Sequence, residues 1–370
     1  MTGAALAPPQ CFDEAKRAPA QVEAERDRAL DAPADRAHAG PGKSIMARTL
    51  SRDLEEPDGP ILLIGGEGFV GRHLAALLRA RYVASAVLAM DRPSLDLTDE
   101  SSVAAALVEH APSAVVNLAG MAAPAQAARA GRAAWDLHLH AVEGLGRAIL
   151  EHVPRAWLVQ IGSGLAYGRT AFHGRPVRES EAMEPMDLYG ASKAAGDLVL
   201  GAMASEGLRV ARMRPFNHTG AGQARGFAVP DFAIQVARIE AGLQEPVLSV
   251  GNLEASRDFL HVDDVVAAYA DVVAAGMAGR LERGVVFNVA SGEPVAMRAV
   301  ISRLLDLSKV PIELRSDPTR MRPSDLPTIA GDASALRAAT GWAPRRSLDD
   351  ALRDVLETER AAFSAGTTRP

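Results

Sequence analysis

A phenol and an ammonium four residues apart, Tyr189 and Lys193 in DLYGASKAAGDLVL, form a pair whose types and spacing can do chemistry. On a helix, residues i and i+4 lie on one face, one turn apart. A free phenol titrates at about 10. A cation held beside it favours the phenolate and brings the hydroxyl nearer the range in which it exchanges a proton with a substrate alcohol or ketone. Upstream, Ser163 ends the apolar run in VQIGSGLAYG, where its hydroxyl can bond and polarise the same substrate oxygen. Taken singly, each is commonplace, since Tyr and Lys fall four apart on many helices and a Ser after a strand is commoner still.

A second constellation stands earlier in the chain. In ILLIGGEGFVGRHLAALL, Gly65, Gly68 and Gly71 sit where an apolar run ends and an amphipathic helix opens. The first suits a tight turn, the second lets backbone approach a pyrophosphate, and the third lets the helix pack closely on the strand. The free N–H groups at the helix start then face phosphate oxygens. The spacing is G-x-x-G-x-x-G, and alone it indicates only a tight turn. Asp91 strengthens it: this acid ends the next apolar run, AVLAMD, where a carboxylate can bond the adenosine ribose hydroxyls. Asp91 disfavours a 2′-phosphate and points to NAD, although Arg92 beside it can neutralise one. In LDLTD, Asp96 and Leu97 offer an adenine ring an acceptor and an apolar wall, while a helix cap at Thr98 or Asp99 explains the stretch equally well. The expected cofactor-binding set also takes in Phe69, Val70, Leu118 and Ala119, together with Tyr189 and Lys193; Lys193 can hold the cofactor ribose.

These residues need a scaffold, and the chain supplies a regular one. From Pro60 onward, apolar runs of strand length (61–66, 86–91, 114–120, 156–163, 208–215 and 285–292) alternate with Ala-rich segments of helical length. Continuous apolar runs suit strands buried on both faces, which means a doubly wound parallel α/β sheet with helices on either side. Composition agrees: the 370 residues are 48% hydrophobic but only 4% aromatic, so the core is built from Ala, Val and Leu. A net charge of −6 provides no basic footprint for nucleic acid and no reason to expect an anionic membrane surface, which leaves a small ligand as the expected partner. The single cysteine, Cys11, offers neither a disulfide nor a zinc framework, and no apolar run approaches membrane-spanning length; a cytoplasmic protein is expected. His138 and His140, two apart, point to different sides of a helix and suggest no metal site. Residues 1–57 mix Ala, Pro and charge with almost nothing to bury, the composition of a disordered extension, with a short helix around Val22 to Leu30 conceivable.

At the ordered set of glycine turn, Ser163 and Tyr189-x-x-x-Lys193, the sequence resembles the extended short-chain dehydrogenase/reductase (NAD-dependent epimerase/dehydratase) family across roughly residues 60–358. The resemblance implies a Rossmann domain over about 58–218, to which elements from about 255–300 return, and a smaller, mainly substrate-binding part over 219–370. It also implies hydride exchange with NAD(P)H, Tyr189 as general acid/base, Lys193 lowering its pKa, and Ser163 orienting the substrate oxygen. Departures are visible: Ala221 stands where the family's NHxGPGQ stretch has Pro, Gly162 replaces the first of two Ser, and Ala141 and Leu145 replace the Asn and Thr of N-V-x-G-T.

The downstream segments RPFNHTGAGQARGFAVPDFAIQVARIEAG, VGNLEASRDFLHVDDVVAAY and DPTRMRPSDLPTIAGDASALRAATGWAP are similar to those members that reduce GDP-4-keto-6-deoxy-mannose, with GDP-mannose 4,6-dehydratases next. Asn217 offers a donor and an acceptor to a sugar or phosphate, and Arg257 and Arg322 are forks suited to a diphosphate. A turn residue and two surface ion pairs account for the same three side chains. The dehydratases carry an acid two residues after the Ser/Thr, where this chain has Leu165. The implied reaction is therefore NAD(P)H-dependent reduction of the C4 ketone to GDP-6-deoxy-D-mannose (GDP-D-rhamnose). Two rivals are an epimerase or dehydratase that retains NAD, and a non-catalytic NAD(P)H-binding sensor. Apolar positions Val142, Leu145, Leu198, Val199 and Met203 suggest a homodimer interface or, equally, packing on their own sheet.

Overall fold

The computed structural model of the chain describes residues 57–83, 86–321 and 326–364. The segment expected to be a disordered extension, apart from Pro57, lies outside them, as does Arg322.

Six strands form one sheet in the order β2-β1-β3-β4-β5-β9: β1 (Ile61–Ile64), β2 (Val87–Met90), β3 (Ala114–Asn117), β4 (Trp157–Ile161), β5 (Val210–Pro215) and β9 (Val285–Val289). Every pairing in it is parallel. Parallel neighbours require crossovers, and helices supply them: α1 (Phe69–Arg81), α2 (Glu100–His110), α5 (Ala141–His152) and α6 (Leu188–Ser205), with short α3 (Pro124–Ala130) and α4 (Arg132–Trp135) ahead of α5. Side chains alternate across each strand, so the two faces collect different partners. Ile61 and Leu63 pack in a layer with Leu74 and Leu78 of α1 and with the apolar side of α8 (Val262–Met277). Leu62 and Ile64 pack in the opposite layer with Leu107 of α2, Leu145 and Ile149 of α5, and Leu200 and Met203 of α6. This is the doubly wound α/β arrangement expected from the continuous apolar runs.

A third apolar cluster gathers three further helices, α7 (Ala228–Glu240), α9 (Met297–Asp306) and α11 (Leu348–Ser364), over β7 (Val247–Val250). Around it run β6 (Asn217–Thr219), β8 (Ser256–His261), β10 (Pro294–Ala296) and β12 (Thr328–Ile329), which share a small sheet, and β11 (Glu313–Ser316), which pairs with β7. Asp258 joins β8 to the main sheet's far edge: its fully buried carboxylate accepts the amides of Ser291, Gly292 and Gly331 and the Ser291 hydroxyl. A short α10 (Ser334–Thr340) completes the described elements. Among the described residues, no helix is long and apolar enough to cross a membrane.

Candidate active site

The strand order reverses between β1 and β3, because the chain leaves β1 for β2 on one side and returns to β3 on the other. In open α/β sheets such a switch point opens a crevice at the carboxyl ends of the strands. Gly65 lies there with a positive φ of 77°, and a Cβ on it would come within 3.0 Å of the Ala119 amide nitrogen. A Cβ on Gly71 would sit 2.4 Å from the Gly65 carbonyl oxygen, so only glycine lets α1 start this close to β1. The helix opens at Gly68 with no side chain capping its amides and no acid in its first turn, leaving those donors for an anion. The site thus fits a dinucleotide pyrophosphate on the structure's own terms.

The other expected cofactor residues are distributed around this crevice. Phe69 and Val70 are half-buried in the first turn of α1, and Phe69 stacks on His218 with ring centroids 6.3 Å apart. Asp91 follows β2 and accepts the Ser94 hydroxyl at 2.9 Å. Asp96 accepts the amide and hydroxyl of Thr98, which hold its carboxyl below the ordinary range, and Arg92 pairs with it at 3.3 Å. Asp99, not Thr98, caps α2. Leu97 is buried in the core layer with Leu62 and Val103. Leu118 and Ala119 leave β3 beside Gly65, and the Ala119 amide is held by the side chain of Asn117, itself buried and bonded to Gln160.

Ser163 follows β4, and its oxygen accepts the Leu165 amide at 3.1 Å, capping a single 3-10 turn. Tyr189 stands at the start of α6, which Asp187 caps through the Gly190 amide at 2.7 Å. A cap of this kind contributes about 1 kcal/mol and sets where the helix begins. Tyr189, Lys193 and Ser163 are all buried. Lys193 Nζ donates to the Ile161 carbonyl at 3.1 Å. The expected lowering of the phenol by the ammonium is not what the protein itself produces. Burial pushes Tyr189 up to about 12 against a lowering influence of the nearby Ser163 hydroxyl, and burial pushes Lys193 down to about 8. Desolvation dominates because both groups are removed from water.

The substrate-side residues are less closely gathered. Asn217 is exposed on β6, opposite Phe259 of β8. Arg257 is half-buried on β8 and donates to the carbonyls of Ser256 and Leu326, at 2.8 and 2.7 Å. A cavity of about 460 Å³ beside α7 is lined by Arg225, Arg238 and Arg320 together with Asp231, Gln235 and Ser249. Sequence reasoning passed over these three arginines, since nothing in their spacing sets them apart from surface cations. Leu165, at the position of the dehydratases' acid, packs with Met121 against a small apolar cluster that contains Tyr189.

His138, whose spacing from His140 suggests no metal site, is buried in a π-helical turn, Asp136–His140. Its Nε2 accepts the Met121 amide at 3.0 Å and its Nδ1 meets Ser192 Oγ at 2.8 Å. The replacements at Ala141 and Leu145 are buried in the apolar layer behind it. Gly162 has a physical reason of its own, since a Cβ there would lie 2.9 Å from the Met213 carbonyl oxygen. Of the five apolar positions weighed for dimerisation, Val142, Leu145 and Met203 are buried in the chain's own core, whereas Leu198 is 61% exposed.

A glycine-turned crevice at the switch point, with a phenol, a serine hydroxyl and an ammonium beyond it, defines a Rossmann-fold enzyme that works with a nicotinamide dinucleotide. The chain belongs to the NAD dependent epimerase/dehydratase family, which it matches over residues 61–290. It is 35% identical over 297 residues to a GDP-6-deoxy-D-mannose reductase of Pseudomonas aeruginosa, covering 80% of this chain and 95% of that one. It is 28% identical over 330 residues to a dTDP-6-deoxy-L-talose 4-dehydrogenase (NAD(P)(+)) of Kitasatospora kifunensis, covering 82% and 96% respectively. Among solved structures it resembles RMD from Pseudomonas aeruginosa complexed with NADPH, with a TM-score of 0.73, 33% identity, and 82% of this chain and 99% of that one covered.

Proposed function

We propose that this enzyme reduces the C4 ketone of GDP-4-keto-6-deoxy-mannose to GDP-6-deoxy-D-mannose, with consumption of NAD(P)H. The observation that carries the reading is Leu165 packed against the Tyr189 cluster just past Ser163. A dehydratase needs an extra acid or base there to remove the C5 proton and help water leave C6, whereas a reductase needs only a proton donor and an oxygen polariser. The Pseudomonas relative supports the same substrate.

In this reading the crevice residues Gly65, Gly68, Phe69, Val70, Gly71, Asp91, Arg92, Asp96, Leu97, Leu118 and Ala119 surround the dinucleotide. The amides at the start of α1 take its pyrophosphate, and Asp91 takes its adenosine ribose. The reduced nicotinamide supplies a hydride when bound. Tyr189, raised to about 12 by burial, keeps its proton at neutral pH and gives it to the oxygen at C4 as negative charge develops there. Ser163 donates a hydrogen bond to that oxygen, and the Lys193 ammonium next to the Ile161 carbonyl supports the phenolate that remains. Asn217, Arg257 and Arg322, with the arginine-lined cavity beside α7, serve the GDP moiety.

We also infer a homodimer, supported by the exposed Leu198 on α6, and a cytoplasmic location, supported by the absence of any disulfide framework in the sequence. The deciding assay follows NADH and NADPH oxidation with GDP-4-keto-6-deoxy-mannose and with its dTDP and UDP analogues. Turnover confined to the GDP sugar is expected. Tightly bound NAD with no net consumption of NAD(P)H points to an epimerase or dehydratase, and binding without turnover points to a sensor.

A further inference from the structure

The buried imidazole of His138 has its protonation written into its partners. Nε2 accepts the Met121 amide at 3.0 Å, so it carries no proton. The ring proton is on Nδ1, which donates to Ser192 Oγ at 2.8 Å, and the Ser192 hydroxyl donates onward to the Tyr189 main-chain carbonyl at 3.0 Å. One neutral ring thereby connects the segment after β3, which borders the cofactor crevice, to the first turn of α6. Burial, seconded by the Lys193 charge, holds the ring far below its ordinary range, at about 3.

Two glycines make the connection possible. A Cβ on Gly120 would lie 3.0 Å from Lys193 Nζ and 3.2 Å from His138 Nε2, so both groups close over the same bare Cα. A Cβ on Gly196 would lie 2.2 Å from the His138 carbonyl oxygen, so α6 approaches the π-turn as closely as backbone allows. The His138 ring also meets the Tyr189 ring edge to face, with centroids 5.8 Å apart. Single-turn π insertions inside helices often coincide with functional sites, and this one aims a side chain that a regular α-helix would place elsewhere.

We propose that His138 is a positioning residue: by bonding the Met121 amide and, through Ser192, the Tyr189 carbonyl, it sets the spacing between the crevice wall and the turn that presents Tyr189 and Lys193. The proposal rests on the roles given above to those two residues. It touches neither substrate nor cofactor and moves no proton during turnover.

His138→Phe keeps the ring and its contact with Tyr189 but removes both bonds. His138→Gln keeps an acceptor near the Nε2 position, and His138→Asn keeps a donor near the Nδ1 position. The expected result for His138→Phe is a fall in kcat of about 10- to 100-fold, with KM for NAD(P)H and for the keto sugar within about threefold of wild type and a displaced alkaline limb of the pH profile. Gln and Asn each recover part of the loss, and Ser192→Ala reproduces part of it in a chain whose core is otherwise intact. Wild-type kcat and pH profile in His138→Phe overturn the proposal, as do losses in all four variants that merely follow their melting temperatures. Nitrogen-15 spectra of the histidine-labelled full chain provide a readout independent of turnover. A neutral His138 with its proton on Nδ1 is expected from about pH 5 to about pH 9, and an imidazolium or the opposite tautomer overturns the network. A wild-type chain that binds NADH but oxidises it with no keto sugar overturns the reaction itself, a result distinguishable from active wild type beside an unimpaired His138→Phe.

Discussion

The ammonium of Lys193 ends on the main-chain carbonyl of Ile161 at 3.1 Å, tying the helix that carries Tyr189 to the strand that leads into Ser163. β4 ends and α6 begins at the same edge of the sheet, so the bond fixes how the turn of Tyr189 stands relative to Ser163. It also commits a charge to a buried place, and that has measurable consequences.

The folded-state value of Lys193, about 8, lies below the ordinary value of about 10.4. At neutral pH the folded and unfolded chains are both protonated, and the folded chain carries the full cost of burying the charge. That cost fades as pH rises from about 8 toward about 10.4 and the buried ammonium loses its proton. Lys193→Met is expected to abolish turnover while matching or exceeding wild-type stability at pH 7, by at most on the order of 3 kcal/mol. The gap should close toward alkaline pH in denaturant titrations. A variant clearly less stable than wild type at neutral pH argues that the bond to Ile161 outweighs the desolvation.

The same titration sets an alkaline limit on catalysis. In wild type, kcat/KM for the keto sugar is expected to fall as pH rises through about 8, where Lys193 loses its charge. A profile flat to pH 10 is incompatible with a required ammonium of this pKa.

Tyr189→Phe removes one hydroxyl from a buried ring and is expected to lower kcat by about 10²- to 10⁴-fold, with NAD(P)H affinity retained in fluorescence titrations. Retained turnover assigns the proton to another group.

Gly71→Ala places a methyl group where the Gly65 carbonyl oxygen is 2.4 Å away. The α1 start has to move, and a loss of about 1–3 kcal/mol in stability together with weakened cofactor binding is expected. Unchanged values in both calorimetry and cofactor titration count against the close packing.

Asp91→Ser removes the carboxylate expected to take the adenosine ribose and leaves Arg92 beside it. The ratio of kcat/KM for NADPH to that for NADH is expected to rise by about tenfold or more. An unchanged ratio places the ribose hydroxyls elsewhere.

How much of this was legible beforehand depends on which interactions are local. The Tyr189 and Lys193 spacing, the glycine turn, and the six apolar runs reflect helix and strand periodicity, and the structure keeps them as α6, the start of α1 and the six-stranded sheet. His138 was hidden because its sequence position was judged against a regular 3.6-residue helix, and nothing in DLHLH announces a π-turn. The apolar faces of Val142, Leu145 and Met203 look alike whether they meet a sheet or a partner, and burial alone assigns them to the chain's own core. The phenol's upward shift was likewise invisible, because desolvation depends on everything packed around the ring, and spacing reports only one neighbour.

The most direct test of the proposed chemistry follows the hydrogen itself. With GDP-4-keto-6-deoxy-mannose and nicotinamide cofactor deuterated at the transferable C4 position, the product should carry one deuterium at sugar C4, recovered by mass and located by NMR, with one oxidised cofactor formed per sugar. Product labelled at another carbon, or formed without label while the cofactor returns reduced, contradicts a net C4 reduction.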